Sequence, residues 1–443
     1  MILRFNNLGI IEKAEIDISK PFILFTGPNG TGKTYLSYVL SSLESSIGAY
    51  LLSLFRNHEE KEKYLQVYNP YSFQTTDEVS GVLDPELLFS LFEKGIASIS
   101  NTLLQVIGIE DRFVSNFSIE IASSLEQWKE ELLRMKLDCG FFLQIHKESG
   151  TYDFKVRAIP AYRTRQEEKN DQLFELSLFF TSIFFSGASS AFMLTAERSG
   201  IAIFSKEISI ARLKGDERSR PRYPYPISEG LAQAEDRAHH KKYFTPFKDL
   251  ADEIENSILK GRIKITGEGD VHLVTDNKEF RIALTSSTTK ALADFVFYLR
   301  HRAQKMSKLL VDEPEIHLHP NNQIILARLF AKMVNRGLHL VVSTHSDYII
   351  REINNMVMMS QKEAKTVKSL LANGTYEEDE YILPDDLAVY YFDYDFSDNN
   401  RHVKVEQLPV DASRGFSVKS IDTTIENQNR VAGDLFYGLK YGD

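Results

Sequence analysis

The sequence predicts an α/β fold whose core is a parallel β-sheet. From Lys290 onward, helical and strand patterns alternate: a helix, the strand KLLVDE, a helix, the strand HLVVST and another helix. Strands that alternate with helices usually pair in parallel, because each helix carries the chain back across the sheet. A second observation near the N-terminus agrees. There the apolar run FILFT leads into a glycine-rich segment, and helical spacing follows from Thr34.

Length and composition limit the number of domains, the size of the core and the kinds of site that the chain can form. A chain of 443 residues has room for one large domain with insertions or for two to three domains. Its content of 43% hydrophobic and 26% charged residues is typical of a folded globular protein with a large core. The single cysteine, Cys139, excludes an intrachain disulfide and a cysteine-based zinc site. The N-terminus MILRFNNLGII lacks the pattern of a signal peptide, so we expect a cytoplasmic protein.

Patterns elsewhere predict further elements. The apolar window Leu176–Gly187 is shorter than the ~20 residues that span a bilayer, so we predict a buried helix and no membrane association. Residues 50 to about 135 have mostly helical spacing, and residues 140–159 alternate as a hairpin with ESG at its turn. The other predicted strands are ILRFNN and KPFILFTG, which are separated by AEIDIS, then the pair GRIKITGEGDVHLVT and KEFRIALT, and the tail segments LAVYYFDYDF and RHVKVEQL.

The glycine-rich segment GPNGTGKT, residues 27–34, matches the phosphate-binding pattern G-x-x-x-x-G-K-[ST]. Its glycines let backbone N–H groups close around a phosphate, and the following helix N-terminus adds positive potential. Lys33 would neutralise the β- and γ-phosphates, and the Thr34 hydroxyl would bind Mg²⁺. We therefore expect ATP and Mg²⁺ as ligands, with nucleotide contacts from Asn29, Gly30, Gly32, Lys33 and Thr34.

The segment KLLVDEPEIHLHP, residues 308–320, is an apolar strand that ends in two carboxylates. Side chains at the carboxyl end of a parallel strand lie where α/β sheets bind ligands. Asp312 is suited to the shell of the Mg²⁺, and Glu313 to orienting or deprotonating a water. One strand later, VVSTHSDYI places His345 where it would hold that water or Glu313.

Two features of this region have alternative interpretations. His317 and His319 are two residues apart and could bind zinc, although no third ligand is evident nearby. The hydroxyl-rich segment ALTSSTTKALA, residues 283–293, opens a predicted helix. Its residues Ser286 to Thr288 are either an ordinary helix cap or an anion-binding group, and both roles are compatible.

In this order, GPNGTGKT, TSSTTKAL, LLVDEPEIHLHP and STHS resemble the ABC-type ATPase head of the RecF, SMC and OLD group. The resemblance implies a P-loop head with a parallel sheet core, an antiparallel β subdomain and a mainly helical insertion. It also implies that two heads enclose two ATP molecules, with Ser286 of one subunit reaching the γ-phosphate held by Lys33 of the other. This sequence departs from the family signature at Thr288, where glycine is common. Gln74 is the candidate for the family's Q-loop glutamine.

The segments MLTAERSGI (193–201) and RYPYPISEG (222–230) are similar to those of a subset of AAA-family ATPases of anti-phage defence, such as the ATPase subunits of PARIS and Septu. The resemblance implies an ATP-dependent sensor or scaffold subunit that associates with itself and controls a separate effector, expected to be a nuclease, in response to a phage-derived trigger. The alternative is a RecF- or SMC-like ATPase of DNA repair.

The alternative function requires direct contact with DNA. The densest basic stretch, Arg212–Arg222, is either that contact or a solvated loop, and the net charge of −10 argues against a uniformly basic surface. For the chain as a whole we predict a first head segment at 1–49, a mainly helical insertion with a β-hairpin at 50–187, and the remainder of the head at 188–443.

Overall fold

The structure is a computed structural model that describes residues 1–65, 78–108, 116–134, 136–138, 141–148, 151–158, 172–185, 191–213, 223–240, 243–396 and 401–441. Its strands are β1 Ile2–Leu8, β2 Ile11–Asp17, β3 Phe22–Thr26, β4 Glu78–Leu83, β5 Ser118–Ile121, β6 Lys136–Asp138, β7 Phe141–Glu148, β8 Thr151–Ala158, β9 Ala191–Leu194, β10 Arg262–Ile265, β11 Val271–Thr275, β12 Lys278–Arg281, β13 Lys308–Asp312, β14 His339–Ser343, β15 Leu387–Asp395 and β16 His402–Leu408.

The helices of the described residues are α1 Lys33–Leu54, α2 His58–Leu65, α3 Pro85–Val106, α4 Leu125–Arg134, α5 Gln172–Phe184, α6 Arg198–Leu213, α7 Tyr225–Glu235, α8 Arg237–His240, α9 Lys248–Ile254, α10 Ser287–His301, α11 Pro320–Asn335, α12 Asp347–Met359, α13 Lys365–Ala372 and α14 Lys419–Tyr441. A π-helical turn, Glu255–Leu259, continues α9. No helix in this part of the chain is long and apolar enough to cross a membrane.

A nine-stranded sheet in the order β5-β1-β2-β16-β15-β3-β14-β13-β9 organises the molecule. Strands β15, β3, β14, β13 and β9 are mutually parallel, and β5, β1 and β2 pair antiparallel at one side. The predicted α/β fold with a parallel core is therefore confirmed. The strand order also places β14 between β3 and β13, so the ends of these three strands lie side by side.

Strand β3 shows why the parallel core has continuous apolar runs. All five of its residues are buried. Successive side chains point to opposite faces of a strand. Ile23 and Phe25 accordingly join one core with α1, α3 and α5, whereas Phe22 and Leu24 join the other with α9 to α12. A strand covered by helices on both faces cannot alternate between apolar and polar residues.

Several secondary-structure predictions need correction. AEIDIS lies largely within β2, an inner strand of the sheet, because Ala14 and Ile16 face the core. The segment 261–275 forms two strands, β10 and β11, which pair with β12 in a three-stranded sheet. The predicted hairpin is β7 and β8, extended by β4 and β6, and its turn residues Ser149 and Gly150 lie outside the described residues. The helix α14 was not predicted.

The apolar window that begins at Leu176 is confirmed as a buried helix as far as the structure describes it, since Phe179, Phe180 and Ile183 of α5 are buried. The segment 50–187 also supplies β5, which pairs with β1 of the main sheet. Helix α1 crosses the predicted boundary at residue 49 without a break. The division into three segments stays a prediction.

Candidate functional site

The carboxyl ends of β3, β14 and β13 bring the predicted site residues together. The glycine-rich segment 27–34 follows β3, Asp312 ends β13 and Ser343 ends β14. In the parallel register Asp312 lies opposite Ser343, and Ser343 lies opposite Phe25. Three distant parts of the sequence therefore meet at one edge of the sheet, which is the ligand-binding edge of an open α/β fold.

Two glycines of the segment 27–34 are required by backbone geometry. Gly27 has a φ of 132°, and a Cβ atom there would lie 2.1 Å from the carbonyl oxygen of Phe392. Gly32, the residue before α1, has a φ of 90°, and a Cβ there would lie 2.9 Å from Cδ1 of Ile11. Such positive φ values are readily adopted only by glycine. The loop is thus wedged between β15 and the start of β2.

The middle of the same loop is held by a tyrosine from the neighbouring strand. The Tyr394 hydroxyl donates a hydrogen bond to the carbonyl oxygen of Asn29 at 2.7 Å. Gly30, with a φ of 72°, lies against that hydroxyl, which would be 3.1 Å from a Cβ atom at this position. The guanidinium of Arg401 lies over the Tyr394 ring, with its Cζ atom 4.1 Å from the ring centre. The predicted nucleotide contacts Asn29 and Gly30 therefore sit on an aromatic support that the sequence did not indicate.

The Lys33 ammonium lies inside the loop. It donates to the carbonyl oxygens of Gly27 at 2.9 Å and Pro28 at 2.7 Å, and to the Thr31 hydroxyl at 3.3 Å. Burial lowers the pKa of Lys33, and the nearby carboxylates of Asp312, Glu313 and Glu315 oppose that shift. A cation held by three neutral oxygens in this loop is placed where the phosphates of a nucleotide would supply stronger acceptors.

Asp312 joins the loop to the sheet. The Thr34 hydroxyl donates to Oδ2 of Asp312 at 3.0 Å, and the Ser343 hydroxyl donates to Oδ1. Burial raises the pKa of Asp312 to about 6, Glu313 and Glu197 add to the increase, and the two hydroxyl bonds oppose it. A hydroxyl and a carboxylate side by side are hard oxygen donors, which fits the preference of Mg²⁺. The roles of Thr34 and Asp312 as metal ligands stay a prediction.

Glu313 and His345 face each other across the site. The distance from Nδ1 of His345 to Oε1 of Glu313 is 3.9 Å, and to Oε1 of Glu315 it is 3.7 Å. Both predicted catalytic side chains remain about one-third exposed, at 34% for Glu313 and 37% for His345. They are therefore open to a water or a ligand at the sheet edge.

Glu315 is another residue of this site that the sequence analysis did not predict. Its Oε2 accepts a hydrogen bond from the Thr344 hydroxyl at 2.8 Å, and its Oε1 accepts from the backbone N–H of His345 at 3.0 Å. Glu315 thus fixes the turn that carries His345. The signal was the third acidic residue in DEPE, which the sequence offered without showing what it contacts.

Ser286 is the residue before the first turn of α10, and its hydroxyl accepts a hydrogen bond from the backbone N–H of Thr289 at 3.2 Å. The helix-cap interpretation is therefore correct, and the anion-binding role stays a prediction. The Thr288 hydroxyl donates to the carbonyl oxygen of His317 at 2.7 Å. This bond ties the start of α10 to the loop that follows Glu313.

Other predicted features have no place in the site or are not described. The His319 ring accepts from the backbone N–H of Asn321 and caps α11. Across the described ranges, no three His, Cys, Asp or Glu side chains come together to hold a metal ion. Gln74, Cys139 and residues 214–222 of the basic stretch lie outside the described residues.

Comparisons with known proteins support a nucleotide-hydrolysing domain. A family model described as an AAA ATPase domain matches residues 216–350, a range that contains Ser286, Asp312, Glu313 and His345. No curated protein sequence is similar enough to this chain to count as a match.

Three solved SMC head domains are similar to the chain. The first, bound to the C-terminal winged-helix domain of ScpA, has a TM-score of 0.34 and 12% identity, and covers 92% of this chain and 97% of its own. The second, from Pyrococcus furiosus with an extended coiled coil and bound to the C-terminal domain of ScpA, has a TM-score of 0.32 and 12% identity, and covers 97% and 98%. The third, from Thermotoga maritima, has a TM-score of 0.30 and 10% identity, and covers 92% and 98%. TM-scores this low carry no argument about mechanism or partners. The family match alone indicates an ATPase domain, which is a nucleotide-binding unit, within residues 216–350.

Proposed function

We propose that the protein hydrolyses ATP at the edge formed by β3, β13 and β14, and that it does so as an ABC-type head. The observation that carries the proposal is the contact of Thr34 with Asp312, with Glu313 and His345 beside it. These side chains come from a phosphate-binding loop, an acidic strand end and the next strand end. An ATPase needs a phosphate cradle, a metal ligand and a group that orients water, and these residues supply one of each.

The chain's own residues have distinct parts in this proposal. Lys33 exchanges its loop carbonyls for phosphate oxygens of ATP and neutralises their charge. Glu313 accepts a proton from the attacking water, and His345, held by Glu315, orients Glu313 and that water. Thr34 and Asp312 would hold Mg²⁺, which when bound neutralises phosphate charge. Positioning and charge stabilisation account for most of the rate enhancement in such reactions.

We further propose that two heads associate on ATP and that Ser286 completes the site of the partner copy. Support comes from its position at the N-terminus of a fifteen-residue helix, where N–H groups attract anions. The Ser286 hydroxyl accepts the cap bond from the Thr289 N–H and lies 2.9 Å from the Thr289 hydroxyl, a contact that either oxygen can donate. When Thr289 donates, the Ser286 hydroxyl hydrogen is available to a phosphate.

Ser286→Asp separates the two roles of this residue. Aspartate caps helices as well as serine does, so we expect thermal unfolding within about 2 °C of wild type for a change below about 0.5 kcal/mol. A carboxylate repels phosphate, so the ATPase rate should fall at least about tenfold and no longer rise with protein concentration. Steady-state turnover across a hundredfold range of protein concentration, about 0.1 to 10 μM, measures both effects.

Ser286→Ala is the matched control for the cap. It removes the cap bond at a cost of about 1 kcal/mol, and it leaves no charge at the helix N-terminus. If Ser286 meets phosphate, the aspartate variant is slower than the alanine variant although it is more stable. Equal turnover by all three proteins would return Ser286 to a purely structural role.

We also propose that the ATPase is the sensor or scaffold subunit of an anti-phage defence system and controls a separate effector, a nuclease. The support is the resemblance of residues 193–201 and 222–230 to such ATPases. Co-expression with the product of the neighbouring gene should reduce phage plaque formation by at least about tenfold, and Lys33→Ala should abolish the protection because it removes the phosphate-binding cation. Protection that survives Lys33→Ala, or no protection at all, would contradict this role.

A further inference from the structure

Arg198 begins α6 and lies directly behind the acidic strand end, yet it belongs to none of the phosphate-binding, acidic or histidine motifs of the site. Its side chain is 3% exposed. The fork of its guanidinium donates through Nη1 to the carbonyl oxygen of Asp312 at 2.8 Å and through Nη2 to that of Glu313 at 2.9 Å. Arg198 thus holds the backbone of both residues that carry the proposed metal ligand and base.

The remaining bonds of the guanidinium reach two other elements. Nη1 also donates to the carbonyl oxygen of Thr195 at 3.1 Å, and Nε donates to that of Ala291 at 3.1 Å. Ala291 belongs to α10, the helix capped by Ser286. A single planar group therefore connects α10 to the chain that follows β13. The five donors of arginine in a fixed fork suit this task, which a flexible lysine ammonium performs poorly.

The backbone at Glu313 requires such a restraint. Glu313 has a φ of 47°, in the left-handed region that non-glycine residues avoid. Such conformations persist only where the surrounding structure enforces them, and they concentrate at functional sites. Three hydrogen bonds hold the Glu313 backbone. Its N–H donates to the carbonyl oxygen of Ser343 at 2.9 Å, and its carbonyl accepts from the Ile316 N–H at 3.2 Å and from Arg198 at 2.9 Å.

The charge of Arg198 is also unusual. All four of its hydrogen bonds end on carbonyl oxygens, and none of the ion pairs found among the described residues includes it. Burial lowers its pKa, and the carboxylates of Asp312, Glu315, Glu313 and Glu197 oppose the shift without touching it. A buried cation without a contacting carboxylate is costly to keep in a fold. Here the cation places a positive charge near these four carboxylates.

We propose that Arg198 is a positioning residue that holds Glu313 in its left-handed turn, so that the carboxylate faces the bound nucleotide, and that links this turn to α10. The inference rests on the proposed ATP hydrolysis. Arg198 acts through Glu313 and makes no contact with substrate. Its removal should therefore slow the chemical step and leave the phosphate-binding loop able to bind ATP.

Arg198→Met tests this role, because methionine keeps most of the buried volume and removes every donor. A misplacement of about 1 Å costs on the order of 100-fold in rate. We expect kcat to fall about 10- to 100-fold, with the dissociation constant for ATP, measured by fluorescence of a labelled analogue, within about threefold of wild type. Arg198→Lys should recover part of the lost kcat, since one ammonium reaches some of the carbonyls.

A double-mutant cycle distinguishes positioning from a general loss of structure. If Arg198 acts through Glu313, its removal has no further effect once Glu313 has been replaced. The double variant Arg198→Met with Glu313→Gln should then have the same kcat as Glu313→Gln alone. Arg300→Met is the matched control, because Arg300 is also an arginine with little exposure, 11%, but it pairs with Asp252 and Glu255. That control should lower the melting temperature and leave kcat within about twofold, because its partners lie outside the site.

The results of these experiments distinguish the positioning role of Arg198 from the proposed ATP hydrolysis. Wild-type protein that hydrolyses ATP no faster than Arg198→Met would overturn the positioning role alone. Multiplied losses in the double mutant, or an equal loss of kcat in Arg300→Met, would do the same by showing a purely structural effect. Wild-type protein that binds ATP without turning it over would overturn the proposed hydrolysis, and the positioning role with it.

Discussion

We expect Glu313→Gln to slow ATP turnover sharply and to leave ATP bound. Glutamine is close to glutamate in shape but cannot accept the proton of the attacking water, and general bases contribute about 10²- to 10⁴-fold to enzymatic rates. We therefore expect kcat to fall at least about 100-fold, with an affinity for ATP within about threefold of wild type. Single-turnover hydrolysis and equilibrium binding measure these two quantities separately.

The same variant also tests head association. If two heads enclose ATP, Glu313→Gln traps that state, and size-exclusion chromatography with light scattering in the presence of ATP shows a dimer or a larger assembly. Glu363→Gln is the control for the chemical change, because Glu363 is 94% exposed. A slow variant that stays monomeric with ATP would remove the association model and keep the role of Glu313. Unchanged turnover would remove that role.

Asp312→Asn makes the nucleotide-free protein more stable at neutral pH and inactive. The pKa of Asp312 is raised by burial from 3.8 to about 6, so the folded state disfavours the ionised carboxylate. Above pH 6 the ionised carboxylate lowers the free energy of unfolding by on the order of 3 kcal/mol. Asparagine carries no charge and still offers hydrogen-bonding groups to the Thr34 and Ser343 hydroxyls. We therefore expect the free energy of unfolding to rise by about 1 to 3 kcal/mol at pH 8.

The pH dependence of this gain has a definite sign. Below about pH 4 the carboxyl is protonated in both the folded and the unfolded chain, so wild type and variant differ little. As the pH rises from about 4 to 6, the unfolded chain releases its proton first, and wild type loses stability relative to the variant. Above about pH 6 the difference is constant. Urea unfolding between pH 4 and pH 8 follows this change.

Activity and a matched control complete the test. The introduced asparagine would offer a neutral oxygen in place of the carboxylate beside Thr34, so hydrolysis dependent on Mg²⁺ should fall to background. Asp276 is exposed in the turn between β11 and β12, with a φ of 48° that asparagine tolerates. Asp276→Asn should change neither stability nor turnover. An Asp312→Asn protein that is less stable at pH 8 than at pH 4, relative to wild type, would contradict the burial argument.

Most of the parallel core could be predicted because its strands are short, mainly apolar runs that alternate with helical patterns. The alternation after Lys290 and the apolar run before residue 27 each indicate one structure through short-range pattern alone. AEIDIS was misjudged for the opposite reason. Its alternating acids resemble a polar connector, but Ala14 and Ile16 reach the core once β2 lies between β1 and β16. Only a partner strand decides which face of such a segment is buried.

Local sequence patterns were enough to predict the residues of the candidate site: the glycine-rich pattern at 27–34, the acids at the end of β13 and the histidine that follows β14. Those features are local, because a strand end and the turn after it are consecutive in the chain. The contacts that hold these residues depend on the fold: Glu315 accepts from the backbone of His345, Tyr394 donates to Asn29, and Arg198 donates to Glu313. Each contact joins residues that the sheet order brings together. Each also uses a backbone N–H or carbonyl group on one side, and every residue type carries these groups, so no sequence pattern marks them.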